Sequence, residues 1–229
     1  GAGCLSELPK LVSGRQSLAL FTDSGLRSAG HPQRAVALLE GSGHKVAVFD
    51  STEENPDSLH VEKARDFISA VRPEVIVALG GGSSMDIAKA ANLIHSCGGR
   101  VGDFHGYGKA TGPLLPMVGI PTTTGTGSEA QSYAVIVDRQ THLKMACGNQ
   151  GMLFGTVILD PELALSQPRS VAAVTETTLP GAATKASPTL RCTICWSGDT
   201  PRKPIRAPVS GLWSPMEACN TFVESPRLT

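Results

Sequence analysis

The stretch "VALGGGSSMDIAKAANLI", residues 77–94, decides how this chain is read. It begins as an apolar, strand-like run to Leu79, crosses Gly80, Gly81 and Gly82, and continues from Ser83 as a helix-like segment. Glycines carry no Cβ and reach positive φ, so a bulky ligand can approach the backbone closely. Ser83 is expected to be the N-cap, with the first unbonded N–H groups of the helix pointing back toward the glycines. Those donors and the positive end of the helix dipole suit a nucleotide pyrophosphate. The segment has neither the Gly-Lys-Ser/Thr of a Walker loop nor the spaced G-x-G-x-x-G fingerprint. A tight strand-to-helix turn with no ligand is the alternative reading.

Outward from this join, short β-rich runs alternate with helical stretches. The runs are "SLALFTD" (17–23), "KVAVFD" (45–50), "EVIVALG" (74–80), "PMVGIP" (116–121) and "TVILD" (156–160). Residues 25–41 and 57–71 carry apolar positions at three- and four-residue spacing and read as crossover helices. That rhythm specifies an α/β fold, a Rossmann-like parallel sheet with flanking helices. "SYAVIVDRQTHLKMAC" (132–147) breaks it: two apolar runs flank Asp138-Arg139-Gln140-Thr141, the pattern of an added β-hairpin.

The totals narrow the function classes. In 229 residues, 20 basic and 20 acidic side chains cancel, so charge favours neither nucleic acid nor an anionic membrane as partner. No window approaches the roughly 18 uninterrupted apolar residues of a membrane span, and no secretory apolar region is visible. The chain starts at Gly1 without an initiator Met, which leaves a preceding targeting segment open. The six cysteines, at 4, 97, 147, 192, 195 and 219, form no disulfide framework, and a cytoplasmic location is expected. The six histidines, at 31, 44, 60, 95, 105 and 142, show no paired metal spacing, and His105 in "DFHGYG" reads as a loop residue.

A second glycine-rich segment, "GIPTTTGTGSEAQSYAVI" (119–136), joins the first. Together the two closely resemble the iron-containing (group III) alcohol dehydrogenases of the dehydroquinate synthase-like superfamily, whose marks include GGGS-x-x-D-x-AK and PTT-x-GTGSE. "GAGCLSELPKLV" (1–12), "FTDSGL" (21–26), "ENP" (54–56) and "VILDPELALSQP" (157–168) follow the same pattern in the same order. The resemblance runs from residue 1 to about 175. It implies a dinucleotide-binding domain over residues 1–174. It also implies, in intact members, an all-helical domain with an Asp and three His on Fe2+ or Zn2+, which acts as a Lewis acid while hydride passes to or from the nicotinamide.

The same resemblance assigns cofactor roles. Asp23, at a strand end, can accept from both ribose hydroxyls and repel a 2′-phosphate, which favours NAD over NADP. As a plain turn residue it would need no such role. Asn55 falls near the adenine side. Gly81, Gly82 and Ser83 would cradle the pyrophosphate, and Asp86, which could simply complement the helix dipole, would sit beside the cofactor. Thr122, Thr123 and Thr126 would wrap the nicotinamide half. A bare turn closed by a Ser128/Glu129 cap is the alternative for that loop. On the hairpin, Val135 would pack near the nicotinamide and Lys144 would reach the cofactor.

Beyond Thr175 the pattern stops. Seven of the sixteen prolines lie at 180, 188, 201, 204, 208, 215 and 226, no histidine follows 142, and Asp199 is the only acid between 177 and 216. The family's Gly-x-Asp-x-x-x-His helix is absent from "ETTLPGAATKASPTLRCTICW", so the sequence offers no metal ligands and no catalytic residues of that kind. Cys192 and Cys195 form a CxxC half-site without partners and are not expected to bind metal. Residues 175–229 read as a disordered or out-of-frame tail, and the chain as a family member lacking its metal domain, inactive toward alcohols. Short-chain alcohols, diols or hydroxy acids would be substrates of the intact parent. A hydroxyacid-oxoacid transhydrogenase or maleylacetate reductase fragment, or a non-catalytic dinucleotide-binding or homodimerising module, are the competing readings. If the tail is out of frame, sequencing the coding nucleotides will reveal Gly-x-Asp-x-x-x-His and two later histidines in another frame after codon 175. Their absence from all three frames contradicts the frame reading.

Overall fold

The computed structural model describes residues 1–168, 171 and 191–192. The tail expected over 175–229, apart from Arg191 and Cys192, therefore lies outside the described residues. The strands are β1 (Ser17–Asp23), β2 (Lys45–Thr52), β3 (Val75–Gly80), β4 (Gly106–Tyr107), β5 (Met117–Pro121), β6 (Tyr133–Val137), β7 (Lys144–Gly148), β8 (Thr156–Val157) and β9 (Arg191–Cys192). The helices are α1 (Leu8–Leu11), α2 (His31–Gly41), α3 (Ser58–Val71), α4 (Gly82–Cys97) and α5 (Pro161–Ala164).

The main sheet has the order β2-β1-β3-β5-β8-β9, with every pairing parallel. Parallel strands between two helical layers must be apolar on both faces, and all six residues of β3 are buried. The side-chain period of two then sorts them. Ile76 and Ala78 join Ala19 and Phe21 in a core with α3 and α4, whereas Val77 and Leu79 join Leu18 and Leu20 against α1, α2 and α5. The chain thus leaves β1 over one face, through α2, and leaves β3 over the other, through α4. Neighbouring strands whose crossovers part in this way open a crevice at their C-terminal ends, the usual ligand position in such sheets.

The elements follow their local chemistry. Asp57 caps α3 in a reciprocal box with His60, accepting the His60 N–H at 3.0 Å. The helix expected over 25–41 is divided: a 3-10 turn over Ser24–Arg27 is capped by Asp23, and Gly30 takes φ +75° before α2 starts with Pro32 in its first turn. The strand expected over 156–160 keeps only two residues, because Asp160 turns away to cap α5. The hairpin β6-β7 is antiparallel as expected, but its loop runs from 138 to 143. There Asp138 Oδ1 accepts the N–H groups of Gln140 and Thr141, both at 2.8 Å, and His142 adopts φ +58°. A third short strand, β4, pairs with β7 just after His105. Its two residues, Gly-Tyr, carry no strand signal.

Asp160 also ties the chain ends of the domain together. Its carboxylate, 3% exposed, accepts the N–H groups of Gly3 (3.1 Å), Leu5 (3.0 Å) and Glu162 (3.1 Å). Asp160→Ala leaves the buried Leu5 N–H and the half-buried N–H groups of Gly3 and Glu162 without an acceptor, and a loss of about 2–4 kcal/mol of stability is expected from the cost of such groups. Chemical denaturation of the full chain checks this, and a loss below about 0.5 kcal/mol, the size of an ordinary surface effect, contradicts it.

Candidate functional site

The two glycine-rich segments meet at the C-terminal ends of β1, β3 and β5. β3 and β5 pair through Gly80 and Pro121, and the Thr122 N–H donates to the Gly80 carbonyl at 3.0 Å. A Cβ on Gly81 would lie 3.3 Å from Thr123, and one on Gly82 would lie 3.2 Å from Ser128 Oγ and 3.3 Å from Thr126 Cβ. At Gly80 it would collide with Ser84, 2.4 Å from Oγ. Gly81 and Gly82 therefore leave room for the protein's own second loop, and Gly80 for Ser84 of the following helix, as much as for any ligand.

The first segment differs from expectation in one detail. Helix α4 begins at Gly82 with Gly81 as its N-cap, and no side chain caps it. Ser83 is thus not the cap but a first-turn residue, because the cap falls two residues earlier than the polar pattern suggests. The N–H groups of Gly82, Ser83 and Ser84 have no carbonyl a turn back to bond, as at every helix start, and are the donors available to an anion. Asp86 lies beyond the first turn. Its role is to hold the hairpin: Oδ2 accepts the Val135 N–H at 3.1 Å.

Asp23 stands at the switch point between β1 and β3. A bulge places it opposite both Ser51 and Thr52 of β2, which re-aims its side chain at the strand end. Its Oδ1 accepts the Leu26 N–H at 3.1 Å, and Ser84 Oγ approaches its Oδ2 at 3.4 Å. Asp23 thus caps a turn and also lies beside the glycine segment. Asn55, exposed and left-handed at φ +50°, accepts from Lys144 Nζ at 3.2 Å, which brings two of the expected cofactor residues together. The hairpin is held there too, by the Val137 N–H donating to the Pro56 carbonyl at 2.9 Å. Val135 remains 40% exposed. Thr122 is buried, and Thr123 Oγ1 is buried with no hydrogen-bond partner among the described residues.

Lys89 had no role in the sequence reading. It is fully buried, and Nζ donates to the carbonyls of Ser128 (2.6 Å), Gln131 (2.6 Å) and Tyr133 (3.0 Å), 5.0 Å from the centre of the Phe154 ring. Burial pushes its ammonium down to about 8, against the pull of Asp86 and Glu129. Burial likewise pushes the Asp86 carboxyl up to about 6, opposed by Lys89, the Val135 N–H and Ser128. Between those values both are charged. Asn92, one turn on, brackets the chain before β5 with two bonds to Leu115. The signal was present: α4 is nearly all apolar from Ile87 to Ile94, and Lys89 and Asn92 are its two polar side chains there. Gln167 is a further missed contact, accepting from the Thr124 N–H at 3.2 Å.

The orphaned Thr123 hydroxyl, the first-turn donors of α4 and the Asp23 carboxylate fit a phosphate-bearing dinucleotide. A divalent metal finds no such fit: among the described residues no three His, Cys, Asp or Glu side chains group to hold one. Nor is any helix there long and apolar enough to cross a membrane.

Comparison with known proteins bears on the same region. The profile of the family described as iron-containing alcohol dehydrogenase matches residues 1–161. Over 177 residues the chain is 33% identical to alcohol dehydrogenase 4 of Schizosaccharomyces pombe, covering 76% of this chain and 42% of that protein. It is 32% identical to the NAD-dependent methanol dehydrogenase of Bacillus methanolicus, with 76% and 46% covered. Among solved structures, a 1,3-propanediol oxidoreductase superposes with a TM-score of 0.74 at 29% identity, covering 78% of this chain and 47% of that one. Sulfoacetaldehyde reductase of Bifidobacterium kashiwanohense, solved in complex with NAD+, gives 0.72 at 32% identity, with 78% and 48% covered. The chain therefore spans less than half the length of these relatives.

Proposed function

Because the chain belongs to the iron-containing alcohol dehydrogenase family, we propose that residues 1–174 are its dinucleotide-binding domain and hold NAD in preference to NADP. The observation that carries this is the convergence of both glycine segments on one crevice beside Asp23, with the Thr123 hydroxyl buried in it and unpartnered. The NAD-dependent methanol dehydrogenase and the NAD+ complex of the reductase support the choice of cofactor. Asp23 takes the adenosine ribose, and Asn55 with Lys144 takes the adenine side. The N–H groups of Gly82 and Ser83 bind the diphosphate, with Gly81 keeping the backbone accessible. Asp86 fixes Val135 for the nicotinamide face. Thr122, Thr123 and Thr126 line the nicotinamide half. Bound NAD would supply the hydride acceptor for a small alcohol.

The parent reaction we infer is oxidation of a small alcohol, or reduction of the aldehyde, in the cytoplasm, assisted by iron or zinc. The resemblance places the ligands of that metal after residue 175, where the sequence carries none of them. For these 229 residues the proposal is accordingly cofactor binding without alcohol turnover, and self-association is compatible with it.

Asp23 decides the cofactor preference. Asp23→Ala removes both the ribose acceptor and the charge that repels a 2′-phosphate, and the NAD-to-NADP affinity ratio should fall roughly tenfold, about the worth of one charged hydrogen bond. The same change deletes the cap on Leu26, so Asp23→Asn, which keeps an acceptor for that N–H, isolates the charge and should raise NADP affinity. Titration of both cofactors reads the ratio. An unchanged ratio in both variants removes Asp23 from the ribose site.

A further inference from the structure

Helix α4 carries the lysine that closes the GGGS-x-x-D-x-AK pattern, and no cofactor contact has been assigned to it. Lys89 lies seven residues after Gly82, about 10 Å along the axis at the rise of an α-helix. It is fully buried, and its ammonium meets three carbonyls from one short segment, Ser128, Gln131 and Tyr133. That segment starts where the second glycine loop ends and runs into β6, the strand that carries Val135.

We propose that Lys89 is the positioning residue of the dinucleotide site, a charged pin that fixes the second glycine loop and the start of the hairpin against α4 in the geometry that receives the cofactor. This rests on the dinucleotide reading of the crevice. The match is one of number: an ammonium has three protons and no acceptor, and here it faces three acceptors. A neutral amine keeps two protons and turns its lone pair toward the third carbonyl, converting one attraction into a repulsion. Methionine provides none of the donors, glutamine at most two, and the planar fork of arginine does not converge on three points around one nitrogen. Burial magnifies the difference, since the contacts lie in a low-dielectric interior beside the Phe154 ring. The charged groups acting on it are Asp86 on its own helix and Glu129 on the facing turn. Its charge also adds to the field of the α4 dipole at the diphosphate end.

The sign of the pH effect follows. The protonated pin favours binding, so affinity is full below the value near which burial places Lys89, about 8, and falls above it. NAD titration of the full chain at about pH 7 and about pH 9.5, on either side of that value and below the ordinary lysine range, tests this. Wild-type affinity should drop on the order of tenfold, as for the loss of one charge-assisted bond. Lys89→Met should bind on the order of tenfold or more weakly at the lower pH and show no further change at the higher. A wild-type affinity equal at both pH values overturns the proposal, even if the variant does not fold. So does a folded Lys89→Met with wild-type affinity, or with the wild-type pH dependence. If wild-type protein binds no NAD, the dinucleotide reading fails separately. Amide exchange then decides the pin: faster exchange in Lys89→Met confined to residues 126–135 supports it, and acceleration equal to that of β1 and β3 refutes it.

Discussion

The close approach of Gly82 to Thr126 and Ser128 is the constraint on which the rest of the site depends. These residues come from segments more than forty positions apart, and a single Cβ would meet both neighbours at 3.2–3.3 Å. With hydrogen in that place, the second loop closes on the start of α4, and Lys89 and Asp86 can reach its carbonyls and N–H groups from the next turns of the same helix. One helix therefore presents its free N-terminal donors to the crevice and anchors the loop and hairpin that form the opposite wall. Local chain flexibility at the glycines and charge deep in the helix are two parts of one design.

The sheet order sets where that wall stands. Because β1 exits over one face and β3 over the other, their C-terminal ends face an uncovered crevice, and Asp23 and the first glycine segment lie on either side of it. The bulge at Asp23 aims the carboxylate there, and the same residue caps the following turn, so its position is fixed by backbone as well as by any ligand. Away from the crevice, Asp160 joins the start of the domain to the segment after β8. Two residues suffice for β8 because that carboxylate does the joining.

Much of this was legible in the sequence because it is periodic or local. The five main strands were marked by apolar runs too short for helices, and α3 by its spacing and its Asp57 cap. The two glycine segments also identified the family together, since either alone would suit a plain turn and only the pair in this order is specific. What was not legible depends on distant contacts. Ser83 looks like a cap, but the turn tightens at Gly81 because Ser84 and Asp23 pack beside Gly80. β4 forms only because β7 lies next to it. Lys89 reads as an ordinary helix former until its partners, some forty residues later, are folded against it. Asp86 was expected beside the cofactor, and it is its bond to Val135 that gives it a place in the site.

The central claim is that both glycine segments face a single dinucleotide. Hydrogen exchange of the full chain with and without saturating NAD tests it most directly, because the N–H groups of Gly82, Ser83 and Ser84 lack partners within the helix and a ligand that accepts from them slows their exchange. The account predicts that NAD slows exchange at residues 82–84 and across 122–127 together, with a smaller effect at 24–27 beside Asp23. Protection at only one of the two glycine segments, or none at either while NAD is bound, would contradict it.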